Sequence, residues 1–143
     1  MVSFRTERAL TEALVHHLRQ VSCPWGRVRL AREFFYHRGR TDVVALTSSG
    51  RVLAFEAKLK DWREALHQAY RNSCFAHGTY VVLPKSAAEL AHRYSAEFES
   101  LRVGLCVVSR NALEVLCEAQ TLNPIQPWLS RRAAVRAMSQ CRP

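Results

Sequence analysis

Apolar positions follow a helical period at the start of the chain and a strand period directly after it. Residues 4–20 carry a leucine at every fourth position, which predicts an amphipathic helix with Ser3 as its N-cap. The stripe consists of Leu10, Leu14 and Leu18. Residues 27–36 alternate basic with apolar side chains, which predicts a strand with one solvated face.

The remaining apolar runs predict a mixed sheet. Residues 42–46 and 51–59 form two runs separated by a Thr-Ser-Ser-Gly turn, which indicates a hairpin that completes a three-strand meander. Downstream we expect a helix at 61–77, a strand at 79–84, a helix at 86–101, a strand at 104–108, an antiparallel edge strand at 113–117 and a basic helix at 128–140. The segment 79–108 would then be a βαβ unit.

The length of 143 residues is enough to bury one α/β core. We therefore expect a single domain over 1–143, a central mixed sheet flanked by helices, with 121–143 as a basic helical extension. No apolar run approaches the roughly 20 residues of a membrane span. Five cysteines without Cys-x-x-Cys spacing favour free thiols, and the N-terminus lacks a secretory signal, so we expect a cytoplasmic protein.

The turn between the two hairpin runs sets a specific register. If Ser48–Gly50 is a three-residue loop with the glycine in the left-handed conformation, Thr47 pairs with Arg51. Counting back along the ladder then places Asp42 directly opposite Glu56, with Cβ atoms roughly 5 Å apart. Because strand side chains alternate between faces, Lys58 is expected on the same face as Glu56.

Two carboxylates and a lysine at one end of an apolar hairpin would destabilise the sheet if they had only a structural role. Like charges opposite each other destabilise a sheet, and half-buried charges need partners. A divalent cation held by oxygen ligands would compensate the two carboxylates. The alternative is a solvated Glu-Lys pair beside an unrelated aspartate.

The residues around this cluster resemble the PD-(D/E)xK nuclease superfamily, the restriction-endonuclease-like fold of many restriction, junction-resolving and repair enzymes. Arg40–Val44 matches the first half-motif, with Thr41 at the place of the proline, and Phe55–Lys58 matches the second. The resemblance implies that Asp42 and Glu56 bind one or two Mg²⁺ ions, with Mn²⁺ as a substitute. It also implies that the Ala57 carbonyl is a further ligand, and that Lys58 assists the attacking water or the charge of the transition state.

Two further site residues follow from the same resemblance. The segment Thr6–Leu10 is similar to the start of archaeal Holliday-junction resolvases, which makes Glu7 a candidate additional catalytic and metal-binding carboxylate; the alternative is a glutamate placed for the helix dipole. Gln68 is a candidate for orienting the metal-bound water, although position 72 is Asn rather than the Tyr of recombination nucleases. Glu33 is either another ligand or a partner of neighbouring arginines.

The charge of the chain favours a polyanionic partner. A net charge of +9, from 21 basic and 12 acidic residues, points to nucleic acid. The basic residues nearest the proposed site are candidate phosphate contacts: Arg38, Arg40, Lys60 and Arg63. No organic cofactor is expected.

Together these features predict a Mg²⁺-dependent DNA endonuclease acting in repair, recombination or restriction on duplex or branched DNA. The dimeric state of many relatives implies a homodimer. Two alternatives remain open: a non-catalytic nucleic-acid-binding module on the same fold, and an interaction domain whose basic face binds an acidic protein.

Overall fold

The computed structural model describes residues 4–140, so the predicted N-cap Ser3 lies outside the described residues. The elements are α1 (Glu7–Leu18), β1 (Val28–Tyr36), β2 (Gly39–Thr47), β3 (Val52–Ala57), α2 (Trp62–Asn72), β4 (Gly78–Leu83), α3 (Lys85–His92), α4 (Ser95–Leu101), β5 (Gly104–Val108), β6 (Leu113–Cys117) and α5 (Pro127–Gln140).

The six strands form one mixed sheet in the order β1-β2-β3-β4-β5-β6. The first three are an antiparallel meander, β3, β4 and β5 are parallel, and β6 returns antiparallel to β5. All positions of β3 and β4 are buried, as expected for central strands with helices on both faces. The predicted meander, βαβ unit and edge strand are therefore confirmed.

Each face of the sheet has its own apolar core. The predicted leucine stripe of α1 is buried against side chains such as Phe55 and Val82 on one face. Helices α2, α3, α4 and α5 cover the other face. The basic helix α5 is part of this core rather than an appendage, because Leu129 and Ala133 are fully buried in it.

Three predicted helices have different bounds in the structure. Helix α2 ends at Asn72 rather than at residue 77, because the N–H groups of Ser73, Cys74 and Phe75 donate to carbonyls three residues back. Helix α1 begins at Glu7 rather than at residue 4, because the Thr6 hydroxyl accepts a hydrogen bond from the Ala9 N–H at 3.0 Å and caps the helix. The segment 86–101 forms two helices instead of one. Backbone bonds that tighten the last turn of α3 end it at His92, and the next ring, Tyr94, stacks on Trp62 of α2 at 5.2 Å.

Strand β1 does not keep one solvated face as predicted. At Glu33 the alternation of its side chains between the two faces of the sheet is interrupted. This residue has a left-handed backbone with φ of 60°. Before it, Leu30 packs under α1; after it, Phe34 and Tyr36 pack on the opposite face. The register on either side is unchanged, so Glu33 lies opposite Asp42 of β2.

Two arginines of α5 reach the backbone of β1. Arg132 Nη2 donates to the Phe35 carbonyl at 2.7 Å. Arg136 Nη2 donates to the carbonyls of Arg32 and Glu33 at 3.3 and 3.4 Å. Of the helices between residues 4 and 140, none combines the length and apolar character that a membrane crossing requires.

Candidate metal centre

The β2–β3 hairpin has the register predicted from the sequence. Val43 pairs with Phe55, and the Thr47 N–H donates to the Arg51 carbonyl at 2.9 Å, with Gly50 at φ of 88°. One step beyond Val43, the same register brings Asp42 opposite Glu56. The loop and the alternation of apolar side chains thus deliver two carboxylates to one end of the hairpin.

Asp42 is held by the end of the neighbouring strand. Its Oδ2 accepts a 2.9 Å hydrogen bond from the Ala57 N–H, and its Oδ1 accepts a 3.2 Å bond from Arg40 Nη2. In an extended strand the N–H and C=O of one residue point to the same neighbour. The Ala57 carbonyl therefore faces the Asp42 side of β3, where the sequence-based hypothesis needs a backbone ligand.

Glu56 is a buried carboxyl, only 2% exposed, with an amide partner on α2. Asn72 Nδ2 donates to Glu56 Oε2 at 2.7 Å. The Asn72 carbonyl oxygen in turn accepts from the Tyr36 hydroxyl at 2.7 Å and the Thr41 hydroxyl at 2.9 Å. Three elements, β1, β2 and α2, thus fix the orientation of this carboxyl.

Burial and the neighbouring Asp42 carboxylate raise the pKa of Glu56 to about 8. The dominant cause is loss of solvation, and the like charge of Asp42 adds to it. A cation between the two carboxylates would offset both causes. The donor set, two carboxylates and a carbonyl facing them, suits a hard divalent cation such as Mg²⁺.

Lys58 does not join the two carboxylates as predicted. It follows the last residue of β3, and its Nζ lies 2.6 Å from Glu64 Oε1 on α2. This hydrogen bond is the main cause of the raised pKa of Lys58. The described contacts include no ion pair between Lys58 and either Asp42 or Glu56.

Glu7 approaches the end of β3 from α1, on the other side of the sheet. Its Oε2 accepts a long, 3.4 Å hydrogen bond from the Leu59 N–H. It shares a cavity of about 340 Å³ with Asp42 and Ala57, but Glu56 does not line this cavity. Within residues 4–140, no three His, Cys, Asp or Glu side chains already form a metal-binding group.

The other predicted site residues have different neighbours. Gln68 Nε2 lies 3.4 Å from Glu64 Oε1 and so belongs to the Lys58–Glu64 pair. Arg63 forms two hydrogen bonds with Glu97 and lies over the Trp62 ring, which occupies its guanidinium. The other three predicted phosphate contacts, Arg38, Arg40 and Lys60, are exposed.

Sequence reasoning missed three residues around the site. In the sequence Asn72 is only a departure from a motif, yet in the structure it is fully buried and donates a hydrogen bond to Glu56. Arg8 and Arg32 line the cavity beside Asp42. Arg32 could have been found from its place two residues after Leu30 in β1, which puts both side chains on the face under α1. Arg8 could have been found from its place next to Glu7.

Comparison with known proteins gives a fold and no family. No protein-family model and no curated protein matches the chain. A solved protein of unknown function from Silicibacter pomeroyi matches with a TM-score of 0.69 and 15% identity, over 96% of this chain and 87% of its own. The two chains therefore share a fold.

A repair endonuclease from Pyrococcus abyssi also matches in part. The TM-score is 0.42 and the identity 18%, over 66% of this chain and 46% of that chain. The match spans less than half of the endonuclease, and this partial likeness has no bearing on function by itself.

Proposed function

We propose that the protein is a divalent-metal-dependent DNA endonuclease of the PD-(D/E)xK type, on a restriction-endonuclease-like fold. The observation that carries the proposal is the buried Glu56 opposite Asp42 at the end of an antiparallel hairpin. A buried carboxyl beside a second carboxylate is costly unless a proton or a cation offsets the charge, and such groups are concentrated at functional sites. The helix, meander, helix and parallel strand around it are the layout that the sequence resemblance implies.

Asp42, Glu56 and the Ala57 carbonyl are the groups that would hold the metal, with Glu7 as a further carboxylate on the α1 side. Mg²⁺ or Mn²⁺ would supply an activated water and would stabilise charge on the phosphate. Asn72 keeps the Glu56 carboxyl aimed toward Asp42. The Asp42 side chain is fixed by the Ala57 N–H, so the two carboxylates are preorganised.

Lys58 acts in this proposal as a cation rather than a base. Its hydrogen bond to Glu64 raises its pKa, so the ammonium stays protonated at neutral pH. Its flexible stem and the half-exposed Glu64 carboxylate allow the ammonium to move to a phosphate oxygen when substrate arrives. A protonated lysine there would stabilise the developing negative charge.

The substrate follows from the charge of the chain and the exposed arginines. A net charge of +9 favours DNA, duplex or branched, with Arg38, Arg40 and Lys60 as phosphate contacts beside the site. Arg63 contributes only if DNA displaces Glu97. A role in repair, recombination or restriction, a homodimer and a cytoplasmic location belong to the same proposal.

The test is a cleavage panel on plasmid, linear, branched and single-stranded DNA with Mg²⁺ or Mn²⁺. We expect metal-dependent cleavage by the natural chain and by the control Glu114→Gln, an exposed carboxylate on the far edge strand β6. Glu56→Gln, Asp42→Asn and Lys58→Met should lose cleavage but keep salt-sensitive DNA binding. Equal cleavage by Glu56→Gln would overturn the proposal.

One observation favours a second candidate, a nucleic-acid-binding module without catalysis. Lys58 is paired with Glu64, and no third carboxylate joins Asp42 and Glu56 in a metal-binding group in the part of the chain that the structure describes. Such a module would bind DNA with a steep salt dependence. It would cleave none of the substrates in the panel with either metal.

A further inference from the structure

A cavity of about 340 Å³ lies between the first turns of α1, the middle of β1 and the end of the hairpin. Its lining combines three arginines and three acids: Arg8, Arg32, Arg40, Glu7, Glu33 and Asp42. Asp42 belongs to the candidate metal centre, so the cavity opens directly beside that centre. None of the arginines except Arg40 was expected there from the sequence.

We infer that this cavity is a phosphate subsite, which binds one phosphate group of a nucleic-acid strand through Arg8, Arg32 and Arg40. The inference builds on the proposed nuclease function and names where its substrate is held. The three guanidiniums come from α1, β1 and β2. Because they come from three separate elements, their convergence depends on the fold and not on one basic segment.

Arg32 is the arginine best placed to take a ligand. It pairs with Val43, whose side chain packs under α1, and directly opposed residues share a face of the sheet. The half-buried Arg32 side chain therefore lies beneath the first turns of α1. The contacts within residues 4–140 include no hydrogen bond or ion pair of its guanidinium, although a guanidinium carries five N–H donors.

The other two arginines are held loosely. Arg8 contacts Glu12 only at 3.9 Å, and both side chains are mostly exposed. Arg40 makes one hydrogen bond to Asp42, which leaves the rest of its planar fork free. Such a fork matches the oxygens of a phosphate in a two-point contact, which an ammonium group cannot make.

The charge balance of the lining couples the phosphate to the metal. Three guanidiniums face three carboxylates, so the cavity without ligands is formally neutral. A divalent cation at Asp42 adds positive charge beside the lining, even where it displaces the proton of Glu56, and a phosphate group offsets that charge. Phosphate affinity should therefore rise when Mg²⁺ is present.

The test is calorimetric titration of the full chain with small ligands, each shown by chromatography to be intact after the titration. The ligands are thymidine 5′-monophosphate, thymidine 3′-monophosphate, the dinucleotide thymidylyl-thymidine and thymidine, each with and without Mg²⁺. We expect the phosphate-bearing ligands to bind and thymidine not to bind. Preference for a monophosphate would assign the subsite to a strand end, and preference for the dinucleotide would assign it to an internal phosphate.

Variants separate the cavity from general surface charge. Arg32→Gln should weaken phosphate binding at least tenfold, while Arg93→Gln, which removes an equal charge at the exposed end of α3, should leave it unchanged. Arg8→Gln, on an exposed helix position, is the second variant if Arg32→Gln does not fold. Equal affinity of Arg32→Gln and the natural chain, or undetectable phosphate binding by the natural chain, would overturn the inference.

The experiments distinguish a failure of the phosphate subsite from a failure of the proposed nuclease function. Cleavage that depends on Glu56, together with phosphate binding that ignores Arg32, would overturn the subsite alone. Phosphate binding at the arginines without any metal-dependent cleavage would overturn the nuclease. An affinity that Mg²⁺ does not change would overturn the charge coupling.

Discussion

The side-chain amide of Asn72, in the last turn of α2, donates a 2.7 Å hydrogen bond to the buried carboxyl of Glu56 at the end of β3. The carbonyl oxygen of the same amide accepts hydrogen bonds from two hydroxyls, those of Tyr36 and Thr41. All polar atoms of the Asn72 side chain thus face groups from the first three strands. The helix and the meander are joined at the point where the candidate site needs a fixed carboxyl.

Removing Asn72 should therefore destabilise the fold measurably. Asn72→Ala removes one hydrogen-bond partner from the Glu56 carboxyl and from each of two buried hydroxyls, and a buried group left unsatisfied costs about 1–3 kcal/mol. We expect a loss of about 2–4 kcal/mol in the free energy of unfolding by urea titration. Asn111→Ala, at an exposed position in the β5–β6 turn, is the control and should change little. A loss below about 0.5 kcal/mol would show that the network does not stabilise the fold.

The raised pKa of Glu56 predicts a pH dependence of stability. Its pKa is about 8 in the folded chain and 4.5 in the unfolded chain, so the folded state holds a proton that the unfolded state releases. This stabilisation is complete below about pH 4.5 and is lost as the pH rises through 8. Each unit of the shift is worth about 1.4 kcal/mol as an upper limit.

The measurement is urea unfolding without divalent metal at a series of pH values. The free energy of unfolding of the natural chain minus that of Glu56→Gln should fall between pH 5 and 8. Taking this difference cancels the contributions of other groups such as His77. Mg²⁺ should stabilise the natural chain more strongly at the upper end of this range, because the cation competes with the proton. A flat difference would contradict the shifted pKa.

The Lys58–Glu64 pair allows the lysine to be tested apart from its present partner. Glu64→Gln removes a half-exposed ion pair, which should cost less than about 1 kcal/mol and leave cleavage within a few-fold. Lys58→Met should lower the cleavage rate by at least about 100-fold, because charge stabilisation at the phosphate is lost. Single-turnover rates on one DNA substrate compare the two. Equal losses would mean that the pair acts as a unit.

Gly39, at the start of β2, should not tolerate a side chain. Its φ is +140°, and an added Cβ would lie 3.0 Å from the Arg71 guanidinium. Gly39→Ala should therefore cost about 1–3 kcal/mol through backbone strain and displacement of Arg71. Gly26→Ala is the matched control, since Gly26 also has positive φ but open space around it. Equal thermal stability of the two variants would show that the contact with Arg71 does not destabilise Gly39→Ala.

The sequence predicts those features of the fold that depend on short-range patterns. The Ser-Ser-Gly loop and the alternation of apolar residues fix the hairpin register, and with it the Asp42–Glu56 pair. The leucine stripe fixes which side of α1 is buried. These signals lie within one element or between neighbouring elements, so they are present in the local sequence.

The missed features depend on how separate elements are rotated against each other. The partner of Lys58 follows from its long stem and from the turn after β3, which brings α2 within reach. Asn72 faces Glu56 because of the rotation of α2 over the sheet. The left-handed backbone at Glu33 is not predicted by the sequence, because no glycine is present there. This backbone conformation determines the face of the sheet on which Phe34 and Tyr36 lie.

The kink at Glu33 has an effect beyond the candidate site. An outer strand with a straight row of free N–H and C=O groups invites the addition of a strand from another molecule. Here the row is interrupted at Glu33, and Arg132 and Arg136 of α5 occupy carbonyls on both sides of the interruption. Strand β1 is thereby guarded against edge-to-edge aggregation, and a sheet continued between copies of this chain would have to use the opposite edge strand, β6.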